Sequence, residues 1–258
     1  MGSHKLTIRG GEPFSRYTLG LWQQSRRGRR LLALEARELR RLLPELFGRH
    51  ILQIGNWGRG QRLLAGADML HKAVLGTIGD AEVQSLVEPE RLPVLSKSVD
   101  AVLLPHTLEF SRSPHDVLRE SSRILTDRGR LLILGFSPWS PWGLRQRIGL
   151  RYAAFPPGAR FVSTARLCEW LQLLDFEVLL IRRYGAGFPR MEPRSADEPF
   201  GFHSLVGPIT DAYLIMAKKR VLPVTLVGRQ QRAQVRNLVP GAIGGAVPNL
   251  RGMPKQPE

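Results

Sequence analysis

The 258-residue chain contains a single cysteine, Cys168, so no disulfide can form within it. It also lacks an uncharged apolar run near the roughly 18–20 residues that a membrane-spanning helix requires. The first residues, Met1 to His4, lack the apolar segment of a secretory signal peptide. These absences predict a protein of the reducing cytoplasm with no membrane span. Within a leucine-rich helix, Cys168 is expected to be a buried, unreactive thiol.

Acidic residues are scarce at both ends of the chain. Residues 1–50 contain 11 Lys and Arg against 4 Asp and Glu, and residues 217–258 contain 8 against 1. The intervening residues 51–216 are nearly balanced, with 19 against 17, although the whole chain carries a net charge of +16. Because basic surfaces attract nucleic acid or anionic lipid, the basic termini make nucleic acid a candidate partner.

The middle of the chain alternates apolar, strand-like runs with amphipathic segments. This order predicts an α/β fold, with a parallel sheet of about seven strands, helices on both faces and a ligand site at the carboxyl edge. The predicted strands are Ile51–Ile54, Ala73–Ile78, Val83–Val87, Ala101–Leu104, Leu131–Leu134, Phe176–Ile181 and Ala212–Ala217. The predicted helices after the first strand are Gln61–Ala67, Pro114–Leu125 and Thr164–Leu174, the last capped by Ser163 or Thr164.

Three regions follow from this pattern. Residues 1–48 form a basic leader and an amphipathic helix over 31–47, for which Gly48 is the expected C-cap. This helix either packs on the sheet or covers the ligand cleft. Residues 49–220 form the main domain. Residues 221–258 contain five prolines and five glycines without a sustained period, which predicts a basic, disordered tail.

Glycines follow the first predicted strand at Gly55, Gly58 and Gly60. Such a turn lets the backbone approach a ligand and directs the N–H groups of the following helix toward it. A turn that only allows close packing is the alternative. The spacing fits neither the G-x-G-x-x-G of dinucleotide-binding proteins nor a G-x-G-x-G pattern. Either the turn is one residue longer, or Trp57 stands in a glycine's place.

Several further motifs occur in a specific order and spacing over roughly residues 49–219. They are Glu88 with Leu92-Pro93, Val99-Asp100, Pro105-His106-Thr107-Leu108-Glu109, Leu118-Arg119-Glu120, Gly129-Arg130 and Asp175-Phe176-Glu177-Val178. In this order the chain resembles the class I S-adenosylmethionine-dependent methyltransferases of the type 11, ubiquinone-biosynthesis-like kind. It is also similar to a small subgroup of uncharacterised bacterial methyltransferase-like proteins, which share its leading tryptophan-plus-helix segment and the loop Gly135–Gly143.

The resemblance implies S-adenosyl-L-methionine as the cofactor. On the matching positions, Gly55, Gly58 and Gly60 would face its methionine and ribose parts. Glu88 would accept a hydrogen bond from the adenine amino group, and Leu92 would lie against the ring.

Two positions depart from the family pattern. The family has acidic residues at the ends of strands 1 and 2, where this chain has Gln53 and Thr77. An amide or hydroxyl can still bond the cofactor, but without the strength of a charge-assisted hydrogen bond. By the same resemblance, Pro105 and His106 would line the sulfonium and the substrate.

His106 is the candidate catalytic base for an acceptor that carries a proton. A hydrogen-bonded structural histidine is the equal alternative. The other histidines lack metal-ligand spacing, so no metal site is predicted. Trp139 and Trp142 either form an apolar wall for the acceptor or close the edge of the fold.

The main hypothesis is a methyltransferase that moves a methyl group from S-adenosyl-L-methionine to an unidentified small-molecule acceptor. The alternative is a non-catalytic methyltransferase fold that binds RNA or a protein through its basic ends. A nicotinamide oxidoreductase ranks third, because the glycine spacing does not suit a dinucleotide. A Trp57 side chain that fills the cofactor pocket would argue against the enzyme.

Overall fold

The computed structural model describes residues 19–20, 22–58, 60–76, 83–140, 143, 159–185 and 210–220. These residues form one seven-stranded sheet in the order β3-β2-β1-β4-β5-β7-β6. Strands β1 to β5 run parallel, and β7 is antiparallel to both β5 and β6. The strands are β1 (His50–Ile54), β2 (His71–Gly76), β3 (Ser85–Leu86), β4 (Val99–Pro105), β5 (Leu125–Phe136), β6 (Phe176–Tyr184) and β7 (Ala212–Lys219). The predicted fold class is confirmed, but the sheet is mixed, because β7 is antiparallel to its neighbours, and the expectation of a parallel sheet was wrong for this strand.

Both faces of the sheet are covered by helices. Leu132 and Leu134 of β5 share an apolar cluster with α1 (Arg26–Leu42). Leu131 and Ile133 share a second cluster with α2 (Pro114–Ile124) and α3 (Thr164–Leu173). Successive side chains of a strand point to opposite faces. Because each face is buried, the central strands are continuously apolar rather than alternating.

Helix α1 begins and ends five residues earlier than predicted. The Ser25 hydroxyl caps its first turn by accepting a backbone N–H. Pro44 cannot continue α1, which is followed by a short 3₁₀ helix, Leu43–Glu45. The prediction of Gly48 as the C-cap was therefore wrong. Gly48 has a φ of +153°, and a Cβ on it would lie 2.3 Å from the Cβ of Asp100.

The glycine turn leads into a five-residue 3₁₀ helix, Gly60–Leu64, so the predicted α-helix over Gln61–Ala67 was wrong. Tertiary packing explains the difference. Leu63 and Leu64 are buried in the apolar cluster that contains the inner face of α1. A Cβ on Gly66 would lie only 3.1 Å from the Cα of Arg40, so α1 runs close beside the end of this segment.

Other elements lie close to their predicted positions. The Ser163 hydroxyl caps α3 by accepting from the N–H of Arg166, as predicted. Strand β5 is longer than predicted and includes the Gly129-Arg130 pair expected in a turn. Cys168 is buried. Residues 77–82, 141–142 and 221–258 lie outside the described part of the chain, so the division into three regions stays a prediction.

Among the described helices, none combines the length and apolar character needed to cross a bilayer.

Gly135 of β5 offers a test of the packing between the sheet and its second apolar cluster. A Cβ there would lie 2.3 Å from Cζ of Tyr213, whose hydroxyl donates to the Val162 carbonyl at 3.0 Å. We expect Gly135→Ala to lower the free energy of unfolding by about 1–3 kcal/mol, because the ring cannot move without losing this bond. Urea unfolding measures the change.

The matched control is Gly20→Ala. Gly20 is helical, and a Cβ there would meet nothing within 4 Å. Alanine should therefore leave stability unchanged or raise it by up to about 1 kcal/mol. Equal losses in the two variants would contradict the packing argument.

Candidate active site

The turn after β1 has the left-handed backbone that its glycines allow. Gly55, Gly58 and Gly60 have φ values of +108°, +93° and +55°. A Cβ on Gly55 would lie 2.6 Å from Oγ1 of Thr107, at the end of β4. Glycine is therefore required both by conformation and by the close approach of β1 to β4.

Trp57 points into the protein from this turn. Its side chain is fully buried, and Nε1 donates a hydrogen bond of 2.5 Å to Oε2 of Glu35 in α1. A Cβ on Gly58 would meet the side chains of Leu63 and Leu32 at 2.9 and 3.2 Å. The part of the turn around Trp57 and Gly58 thus faces protein side chains rather than an open cleft.

The side-chain amide of Gln53 stabilises the turn by hydrogen bonds. Its Nε2 donates to the carbonyls of Gly55 and Trp57, both at 3.0 Å. A carboxylate has no proton to donate, so an acidic residue at this position could not satisfy these carbonyls. The amide at position 53 is therefore matched to this form of the turn.

His106 follows β4 and lies between two carboxylates. Its Nε2 donates to Oε1 of Glu35 at 2.8 Å, and its Nδ1 lies 3.7 Å from Oε1 of Glu109. The imidazole stacks on Phe136 with 3.9 Å between ring centroids, and it meets the Trp57 ring edge-on at 4.7 Å. The backbone is left-handed here, with a φ of +51°.

The charge on His106 is set by these carboxylates. Burial alone would lower the pKa of the ring, but Glu35, followed by Glu109, outweighs this effect and raises the pKa to about 9. The ring is therefore an imidazolium at neutral pH and has no lone pair with which to accept a proton. Its predicted role as a base stays a prediction, and it requires prior loss of this proton.

Glu35 also accepts a hydrogen bond of 3.2 Å from the hydroxyl of Tyr184, at the end of β6. Burial and then the Glu35 charge raise the pKa of Tyr184 well above its usual value, so the phenol stays a neutral donor. Glu109 accepts from the backbone N–H of Phe136 at 2.7 Å. The bonds to Glu35 join α1 to the ends of strands that are distant in sequence.

One feature of the sequence points to this network. Glu35 lies on the apolar stripe of α1, among residues such as Leu32 and Leu39. A carboxylate on a buried helix face requires hydrogen-bond partners, because a buried unpaired charge is strongly unfavourable. Its partners could not be named from the sequence.

The remaining predicted site residues are placed as follows. Pro105 is buried at the end of β4, adjacent to His106. Leu92 is buried in the second apolar cluster, and Glu88 is exposed in the segment after β3. Thr77 and Trp142 lie outside the described residues, whereas Trp139 is 56% exposed. The structure thus brings together Gln53, Gly55, Gly58, Pro105 and His106 around the end of β1 and β4.

The chain is similar to known proteins and to one protein family. A family model described as a methyltransferase domain matches residues 67–133. The uncharacterised protein YafS of Escherichia coli strain K12 is 35% identical over 194 residues, which cover 75% of this chain and 78% of YafS. The chain belongs to the methyltransferase-domain family.

A second relative of the chain is the uncharacterised protein Rv2003c of Mycobacterium tuberculosis. It is 35% identical over 169 residues, which cover 62% of this chain and 58% of Rv2003c. This chain therefore matches little more than half of the mycobacterial relative.

Solved structures show the same fold. A SAM-dependent methyltransferase of Thermotoga maritima, described as a possible histamine N-methyltransferase, has a TM-score of 0.62 at 20% identity, covering 80% of this chain and 98% of that protein. A SAM-dependent methyltransferase of Archaeoglobus fulgidus has a TM-score of 0.54 at 16% identity, covering 73% and 94%. Family and fold together imply S-adenosyl-L-methionine as the cofactor.

Three buried polar atoms of the chain lack a hydrogen-bond partner among the described residues: Gln53 Oε1, His106 Nδ1 and Glu109 Oε2. They belong to residues at or just beyond the carboxyl ends of β1 and β4. Two acceptors and one donor suit the α-ammonium and α-carboxylate of the cofactor's amino-acid part. The donor set therefore fits the cofactor. The space beside Gly58, in contrast, is filled by protein side chains.

Across the described ranges, no group of three or more His, Cys, Asp or Glu side chains could hold a metal ion.

The buried imidazolium predicts a pH-dependent stability. The folded-state pKa of His106 is about 9, above the value of about 6.5 for an unfolded histidine. The bound proton therefore stabilises the fold fully below about pH 6.5, and this contribution is lost as the pH rises through about 9. Between these limits, the wild type should lose roughly 3 kcal/mol more unfolding free energy than His106→Asn.

Urea unfolding of both proteins at about pH 6 and pH 9.5 measures this difference. Asparagine is the replacement of choice because it tolerates the left-handed backbone at position 106. Parallel pH profiles for the two proteins would show that His106 does not take up the stabilising proton.

Proposed function

We propose that the chain is an S-adenosyl-L-methionine-dependent methyltransferase that transfers a methyl group to a small-molecule acceptor. One observation carries the proposal: unpaired buried donors and acceptors lie at the carboxyl ends of the two central strands of a methyltransferase sheet. In sheets of this kind, ligands bind at this edge, where the strand order reverses.

The residues take the following roles in this proposal. Gln53 and Glu109 hold the ammonium of the cofactor's amino-acid part, and the His106 imidazolium holds its carboxylate. Glu88 and Leu92 contact the adenine. The backbone of Gly55 and Gly60, together with Thr77 and Pro105, forms the rest of the cofactor site. Gly58 would contribute only on the side of its backbone that faces away from Leu32 and Leu63.

When bound, the cofactor supplies a methyl group that its sulfonium has already activated. The chain's own contribution is to align the acceptor and to exclude water. If the acceptor carries a proton, His106 serves as its base in place of holding the carboxylate, because only the neutral ring accepts a proton and this form predominates only above about pH 9. A reaction that depends on this base would accelerate with pH up to that value.

Binding of S-adenosylhomocysteine, the demethylated cofactor, tests the site without knowledge of the acceptor. We expect saturable binding in calorimetry. Glu88→Ala should weaken it roughly tenfold, because the adenine amino group loses a charged acceptor. The control Glu169→Ala removes another exposed carboxylate, on α3, and should leave the affinity unchanged.

Equal weakening by Glu88→Ala and Glu169→Ala would remove Glu88 from the site. Mass spectrometry of the purified protein gives a second, independent readout, because a retained cofactor or product would be detected by its mass.

The buried Trp57 favours a second candidate, a non-catalytic protein with a methyltransferase fold. In that case, neither the wild type nor a folded Trp57→Ala variant would bind S-adenosylhomocysteine at millimolar concentration. Binding gained only by Trp57→Ala would show that the site is built but blocked by this side chain. Binding by the wild type would support the enzyme.

A further inference from the structure

The exposed face of α1 is made almost entirely of arginine. Eight positions of the helix are exposed, and seven of them are arginine, with Ala33 as the eighth: Arg26, Arg27, Arg29, Arg30, Arg37, Arg40 and Arg41. The two acidic residues of α1, Glu35 and Glu38, are both buried. Exposed helix faces ordinarily mix charges of both signs, so this face is strongly biased.

The arginines form one stripe along the helix. A helix of 17 residues is about 25 Å long and turns about 100° per residue. On this geometry, Arg26, Arg30, Arg37, Arg40 and Arg41 lie within an arc of roughly 100°. We call these five residues the arginine stripe. It presents a linear array of positive charge over most of the length of α1.

Acidic partners neutralise little of this charge. Glu38 is shared by three guanidinium groups, since Arg41, Arg37 and Arg182 lie within 3.3, 3.7 and 2.7 Å of it. In the described part of the chain, no carboxylate lies within ion-pair distance of Arg26, Arg30 or Arg40. Like charges four residues apart, as at Arg26 and Arg30, destabilise a helix, so this arrangement contributes nothing to the local stability of α1.

The basic surface continues onto the neighbouring segment. Arg62 is exposed in the 3₁₀ helix Gly60–Leu64, which packs against α1. The opposite face of α1 is buried in the apolar cluster of the domain, including Leu31 and Leu39.

We infer that the arginine stripe binds the phosphate backbone of nucleic acid. Guanidinium groups pair with phosphate oxygens in a bidentate manner, and a linear stripe matches a linear chain of phosphates. A membrane partner is disfavoured, because an interfacial helix inserts its apolar face into lipid and that face of α1 is already buried. This binding would depend on the arrangement of charge along α1 and not on the proposed methyl transfer.

Two triple variants of the full chain test the inference. The stripe variant carries Arg26→Gln, Arg30→Gln and Arg40→Gln. The control variant carries Arg91→Gln, Arg128→Gln and Arg166→Gln, which remove the same amount of charge from exposed positions outside α1. The probe is a fluorescein-labelled RNA of about 20 nucleotides, with a duplex DNA of similar length as a second arm, measured by fluorescence anisotropy over a range of salt concentrations.

We expect the stripe variant to weaken binding at least tenfold and to reduce the slope of log Kd against log salt by about 2. The control variant should change binding less than threefold. Thermal unfolding of both variants verifies that they are folded. RNA or DNA binding lost in this selective way would support the inference.

Equal weakening by the two triple variants would overturn the inference, because binding would then depend only on total charge. Failure of the wild type to bind either probe at low salt would overturn it as well. So would stripe-dependent binding to phosphatidylglycerol vesicles without binding to the nucleic acids.

Discussion

The arrangement of the candidate site depends on one buried carboxylate, that of Glu35. It accepts hydrogen bonds from Trp57, His106 and Tyr184, which come from the glycine turn, the end of β4 and the end of β6. A carboxylate that is removed from water requires such donors, since the loss of any one leaves charge poorly compensated. The position of α1 over the sheet and the inward orientation of Trp57 are therefore linked through the same group.

This linkage explains why the turn differs from an open ligand loop. Gln53 donates to two carbonyls of the turn, and Leu32 and Leu63 fill the space beside Gly58. The side chains that close the turn thus come partly from α1, a segment that precedes the sheet. The unpaired atoms of Gln53, His106 and Glu109 nevertheless remain at the strand ends, where a zwitterionic ligand group would satisfy them.

The sheet was predictable because its strands are apolar runs bounded by clear turn signals, such as Gly55 after β1. The cap at Ser163 was also readable, because capping is local. The partners of Glu35 were not, since His106 and Tyr184 lie 71 and 149 residues away. The 3₁₀ helix at Gly60–Leu64 depends on packing against α1, which no local propensity encodes. The fold was therefore predictable from local patterns, whereas the contacts at the strand ends were not.

The short helix after the turn has an electrostatic consequence. A long α-helix at this place contributes a partial positive charge from its backbone dipole, and that charge is independent of pH. Five residues of 3₁₀ helix supply little of it. In the described site, the one unpaired buried donor is instead Nδ1 of the titratable His106 ring. Hydrogen-bond donation to an anionic group at this edge of the sheet would therefore decline in alkaline solution, unlike that of a helix terminus.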